Sequence, residues 1–156
     1  MTIIIDPQSS GIAGNMIIGA FADLGADCEK LKQIMEKSAY EFGEVEVKFE
    51  KVLKHGISST YCHVEMLETK PPINYPEFIK KIENLDLDEK VKKTSVKVFE
   101  RIAKAEAKVH GKDLSEVHFH EVGASDAVAD VVGSIYAYYS LNLDKQKIIG
   151  LPIAVG

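Results

Sequence analysis

The spacing of apolar positions changes character along the chain, and the changes divide it into elements. Thr2 to Ile5 is a β-branched run that ends at Asp6-Pro7, which predicts a short buried strand. Ser9, Ser10, Gly11 and Gly14 follow. Met16, Ile17, Ala20, Phe21 and Leu24 then recur at helical spacing as far as Gly25, a natural stop. The unit is strand, glycine-rich loop, helix. Cys28 to Lys37 predicts a second short helix with Leu31, Ile34 and Met35 on its apolar side. From Val45 the period drops to two. Val45, Val47 and Phe49 alternate with charged residues, Lys54-His55-Gly56 supplies a turn, and Thr60, Cys62, Val64 and Met66 alternate again. This is the pattern of an antiparallel hairpin. Pro71-Pro72 and Pro76 mark a connecting loop.

The second half returns to helical spacing. Pro76 opens a short helix towards Leu85, and Asp88 caps a long one. Val91, Val98, Ile102, Ala105 and Val109 are its expected apolar stripe. Glu89–Lys93 and Glu100–Lys104 pair along its exposed side, and Gly111 suits its end. Val117 to Val122 reads as extended. Ala124 to Leu141 is a further helix, unusually apolar and therefore central, and Lys147 to Gly150 is a final strand. The expected class is α+β (mixed α/β): a small mixed sheet with an antiparallel hairpin, packed against several helices.

A chain of 156 residues is long enough for one domain with a real core. No apolar run approaches the length of a membrane span, and Met1 to Asp6 is too short and uncharged for a signal peptide. A cytoplasmic protein with no membrane partner is expected. Net charge is −5, with lysines and arginines scattered among acidic residues, which argues against a nucleic-acid partner. The two cysteines, Cys28 and Cys62, stand in no metal or disulfide spacing, and Cys62 lies on the apolar side of its strand as a small buried hydrophobe.

Two stretches could hold chemistry. In Glu116-Val117-His118-Phe119-His120-Glu121-Val122-Gly123-Ala124, residues two apart share a face of an extended segment. His118 and His120 would present two imidazoles together, suited to a borderline divalent ion such as nickel or zinc, with Glu121 as a further ligand or a proton acceptor. Spacing alone leaves a metal pair and two ordinary histidines as equal readings. Asp126 and Asp130 are four apart on the next helix and share a face. Asp126 can serve the helix dipole, whereas Asp130, set among valines and alanines, needs a partner. The second stretch, Asp6 to Met16, is a glycine-rich loop opening a helix. Its N–H groups suit either an anion or a tight turn. It matches neither a P-loop nor a dinucleotide fingerprint. His110, one turn after Glu106, suits a helix C-terminus, and His55 and His63 read as solvated.

The residues Asp6, Ser10-Gly11-Ile12-Ala13-Gly14, Met16, Gly19-Ala20 and Asp23-Leu24-Gly25 resemble the start of the nickel-insertion proteins of nickel-pincer cofactor synthesis. Gly56 to Thr60, Ala105 to Gly111, Glu116 to Ala124, Asp126, Asp130 and Leu151-Pro152 are similar to further blocks of that family, in order. The resemblance implies a CTP-dependent cyclometallase, a lyase-class enzyme that inserts nickel into a pyridinium bis-thiocarboxylate mononucleotide. It implies a metal set of His118, His120 and Asp6. The proton acceptor would come from Glu121, Asp126 or Asp130, and the substrate phosphate would be anchored by Ser10, Gly11, Gly14 and Asn15.

Three departures limit that reading. Asn15 stands where members usually have Asp. Leu67 to Phe78 contains no histidine, although many members carry a His-rich stretch there. Residues 1–156 correspond to the N-terminal portion of the family, and the C-terminal region associated with CTP is absent from the stretch, so the nucleotide step does not carry over. Whether the chain is an enzyme by itself is left open. The alternative is a non-catalytic metal- or ligand-binding module working with a separate C-terminal polypeptide. Self-association is a further expected partner mode. A generic metal hydrolase would explain the His-x-His-Glu cluster but not the match along the whole chain.

Overall fold

The computed structural model describes residues 2–119 and 124–153. Its elements run β1 (Thr2–Ile5), α1 (Gly14–Asp23), α2 (Cys28–Ala39), β2 (Gly43–Lys54), β3 (Ile57–Thr69), α3 (Tyr75–Glu83), α4 (Glu89–His110), α5 (Ser125–Ser140) and β4 (Lys147–Gly150). The class is α+β, as the periodicities predict. The strands form a parallel pair, β1 with β4, and an antiparallel hairpin, β2 with β3. At the hairpin tip His55 and Gly56 both have positive φ, 51° and 82°, as a two-residue turn of matching twist requires.

Local chemistry explains the helix ends. Asp27 accepts the Lys30 N–H at 3.1 Å and caps α2. Asn74 accepts the Glu77 N–H at 2.9 Å, so α3 opens at Tyr75, one residue before Pro76. Gly111 closes α4 in the left-handed region, φ 61°. Asp88 does precede α4, but its side chain makes no capping bond. The stripe on α4 also differs from expectation. Val91, Ser95, Phe99 and Ala103 are its buried positions, Val98 and Ile102 flank them, and Val109 is 80% exposed. Ser95 enters the core because its hydroxyl donates to the Val91 carbonyl, at 2.9 Å.

The described residues form two apolar clusters. One gathers Phe78, Ile82, Val91, Phe99 and Phe119 with Val128 and Val132. The other gathers Ile18, Leu31, Met35, Val47 and Cys62 with Ala129 and Ala137. Helix α5 contributes to both, which is why its sequence is apolar nearly all round. Gly133 lets it approach α2, since a Cβ there would meet the Met35 side chain at 2.6 Å.

Candidate functional site

The glycine-rich loop is a folded turn. Asp6, exposed at the end of β1, accepts the Gln8 N–H on its own Oδ1 at 3.1 Å. The Gly11 N–H donates to the Pro7 carbonyl at 3.0 Å, and Gly11 sits at φ 68°, where a side chain would be strained. Ser10 is exposed on this loop. Helix α1 then starts at Gly14 with no side-chain cap and no acidic residue in its first turn.

The missing carboxylate comes from α5. A Cβ at Gly14 would lie 2.5 Å from both Cβ and Oδ2 of Asp130, so the α1 N-terminus rests directly on that side chain. The backbone N–H of Asn15 donates to the Asp130 carboxylate. This is an anion held at a helix N-terminus, supplied from 115 positions further along the chain. The glycine-rich loop and Asp130, both singled out in the sequence, thus meet at one point.

Asp130 is nonetheless incompletely satisfied. Its Oδ1 is buried with no hydrogen-bond partner. Burial first, and the negative charge of Asp126 second, push its carboxyl up to about 6, against the lowering effect of the Asn15 N–H. Capping alone would explain the bond to Asn15. It does not explain a second, buried oxygen left open in a carboxyl pushed up to about 6. Asp126 stands in the first turn of α5, half-buried, and its Oδ1 accepts the Ala127 N–H at 2.8 Å. One turn beyond Asp130, the buried Ser134 hydroxyl oxygen also lacks a partner. Sequence reasoning missed Ser134; the available signal was a hydroxyl one turn from a carboxylate on an apolar helix. Cys62 is buried nearby, and its thiol is pushed up to about 12 by burial and then by the charge of Asp130. It is the small buried hydrophobe the strand pattern predicts.

The other end of α1 is a structural joint. Asp23 accepts the Thr60 N–H at 2.8 Å, the Thr60 hydroxyl at 2.6 Å and the Lys51 ammonium at 2.5 Å. These donors hold its carboxyl down at about 2. Gly19 lies against the Thr60 backbone, leaving no room for a Cβ. The blocks around Gly19 to Gly25 and Gly56 to Thr60 are therefore two sides of one contact between α1 and the hairpin.

His118 lies against other elements, at the start of α3 and the end of α4. Its backbone bridges to Asn74, and the Val117 carbonyl accepts the Tyr75 N–H at 2.9 Å. Of the extended segment expected at Val117 to Val122, residues 117–119 are described and alternate: Val117 and Phe119 are buried, the Phe119 ring 4.8 Å from that of Phe78, and His118 is exposed. His118 lines a small cavity of about 90 Å³ with Val117, Lys112, His110 and Glu106, and His110 Nε2 is 3.3 Å from Glu106 Oε2. His120, of the expected metal set, and Glu121, a candidate proton acceptor, lie outside the described residues. Among the described residues no group of three or more His, Cys, Asp or Glu side chains is placed to hold a metal ion. No described helix is long and apolar enough to cross a membrane.

The model of the nickel insertion protein family matches residues 3–156. The chain belongs to the nickel insertion protein family. Among curated members, a putative nickel insertion protein of Methanosphaera stadtmanae is 46% identical over 100% of this chain and 40% of its own length. One from Methanothermobacter thermautotrophicus is 45% identical, again over 100% of this chain and 38% of its own. The pyridinium-3,5-bisthiocarboxylic acid mononucleotide nickel insertion protein of Desulfitobacterium hafniense is 39% identical over 94% of this chain and 36% of its own. This nickel insertion family chain thus spans well under half the length of these relatives. No solved structure matches it.

Proposed function

We propose that this chain is the nickel-handling N-terminal domain of a CTP-dependent cyclometallase, which inserts nickel into pyridinium-3,5-bisthiocarboxylate mononucleotide. The chemistry requires three things: exchangeable ligands for the incoming nickel, an anchor for the substrate phosphate, and an acceptor for the proton displaced from the ring carbon. Nickel is the cargo here, and His118 and His120, with Asp6, are the ligands proposed for it. Imidazole nitrogens suit nickel and exchange readily enough to pass it on. The observation that supports the reading most is Asp130 at the start of α1, with one buried oxygen unbonded and a carboxyl titrating at about 6. A carboxylate in that state is a proton acceptor matched to neutral pH. Asp126 tunes it by charge, and Glu121 is the alternative acceptor.

The phosphate anchor is assigned to Ser10, Gly11, Gly14 and Asn15. Asp130 already occupies the positive end of α1, so the two anions are linked. A seated phosphate raises the proton affinity of Asp130, which strengthens it as a base only while it enters the complex unprotonated, so the anchor and the acceptor must hold their two anions apart. The CTP-dependent step belongs to the region outside this stretch, supplied as a C-terminal continuation or a separate polypeptide.

The test is calorimetric titration of nickel into this chain and into the double variant His118→Ala, His120→Ala. Stoichiometric binding is expected in the first and its loss in the second; unchanged binding overturns the ligand assignment. Insertion measured with and without the remaining family region separates an enzyme component from a ligand-binding module. Full activity of residues 1–156 alone refutes the dependence on that region.

A further inference from the structure

The parallel pair β1–β4 does not account for its own stability. Two strands are too few to stand alone, and parallel strands are found with both faces covered. Here each strand pairs only with the other among the described residues, so one edge of each is open. In register, Ile3 faces the same way as Ile148, and Ile4 the same way as Ile149. Ile4 is 63% exposed, Ile148 41% and Ile149 37%. Beside them an apolar groove of about 270 Å³ runs between β1 and α1, with Ile5, Ile17 and Phe21 at its base and the exposed Ile12, Met16 and Leu24 on its rim. Ile18, the remaining large apolar side chain of α1, packs inward, on the side of the hairpin and α5. Ile4 and Ile149 lie on one face of the pair and Ile3, Ile5 and Ile148 on the other, so both faces carry apolar side chains, and apolar surface left open on a folded domain marks a contact site.

Its occupant follows from the lengths of the relatives. The two most similar quoted above align with all of this chain, both strands included, yet carry more than half of their own length outside it. At the end of β4 the Leu151 N–H donates to the Ile5 carbonyl, which keeps the backbone on the sheet as it heads towards the exposed Ile153. We infer that the remaining region of the family polypeptide completes this sheet. It adds at least one strand to an open edge of β1–β4 and lays apolar side chains over Ile4, Ile149 and the groove beside α1. This rests on family membership and not on the assignment of the nickel ligands.

Hydrogen–deuterium exchange, without nickel, tests it on this chain and on the full-length Methanosphaera stadtmanae relative. Amides of Thr2–Ile5 and Lys147–Gly150 are expected to exchange at least about 100-fold faster here than the matching amides in the relative, with α2 and α4 alike in both. Equal exchange in the two proteins overturns the inference. Protection in this chain that grows with its concentration also overturns it and assigns the face to a second copy. The double variant Ile4→Lys, Ile149→Lys provides a separate check. The pair is expected to leave the unfolding midpoint of this chain unchanged and to lower that of the relative when placed at the matching positions. Equal loss in both would mean that the isoleucines serve this domain's own core. Because nickel is absent throughout, failure here leaves the nickel reading standing, and failure of the nickel reading leaves this one standing.

Discussion

Helix α1 has a carboxylate at each end, and the two are opposites. Asp23, at the C-terminal end, is exposed, sits on the unfavourable side of the helix dipole, and is held at about 2 by Lys51 and both donors of Thr60. Asp130, at the N-terminal end, is on the favourable side of the dipole and yet titrates at about 6, because burial and Asp126 outweigh one backbone N–H. Proximity to a helix end therefore does not decide the state of either group. The supply of donors does. A fully bonded carboxylate fastens elements together, whereas one with an oxygen to spare and a high proton affinity is fit for chemistry.

The widest separation between the two should come from activity. With the complete nickel insertion system, Asp130→Asn is expected to lower the insertion rate by about 100-fold or more, the usual worth of a general base. Asp23→Asn should stay within about twofold if its role is only to fasten the hairpin. Equal losses would erase the distinction.

Stability gives the next contrast. Gly14→Val should destabilise the fold by about 2–3 kcal/mol in urea titration, since its Cβ would collide with Asp130. Combining it with Asp130→Ala should recover part of that loss, and strict additivity would mean that the contact is not the cause.

A smaller effect separates the pair by pH. The folded-state value of Asp130 is raised, so its contribution is most favourable below the ordinary value of 3.8 and is lost as pH rises through about 6. Asp130→Asn should match the parent at pH 4 and be more stable at pH 7.5, by about 1–2 kcal/mol after discounting for partial exposure. Asp23 is depressed, so its stabilisation is present above 3.8 and lost as pH falls towards about 2. Asp23→Ala should lower the thermal midpoint at pH 7, with the gap to the parent closing below pH 3. A gap independent of pH would show that Thr60 and Lys51 do not act through the charge.

The sequence made one of these ends much easier to see than the other. Asp130 among valines and alanines signals that it needs a partner, and the glycine-rich loop signals free N–H groups. That the two meet could not be read from either, because local periodicity tells which face of an element is apolar and not which element covers it. Asp23 and Thr60 are separated in the same way, by helix α2 and strand β2. Signals confined to neighbouring residues were legible: the turn at His55-Gly56, the close of α4 at Gly111, and the outward His118 against the buried Phe119. The stripe on α4 was misread where neighbours mislead. Ser95 hides its hydroxyl on its own helix, and Val109 lies in a last turn beyond the reach of the core. His120 and Glu121 were legible as a pattern, and their part in the site is carried by the proposed function.

Helix α5 has a consequence for how the domain comes apart. Val128 and Val132 belong to one apolar cluster and Ala129 and Ala137 to the other, so neither cluster keeps its packing once this helix leaves. Partial melting of either half would strip one side of a helix whose other side still needs it. The two halves are thereby locked into a single cooperative unit, and a lesion at the hairpin is felt at the far side of α4.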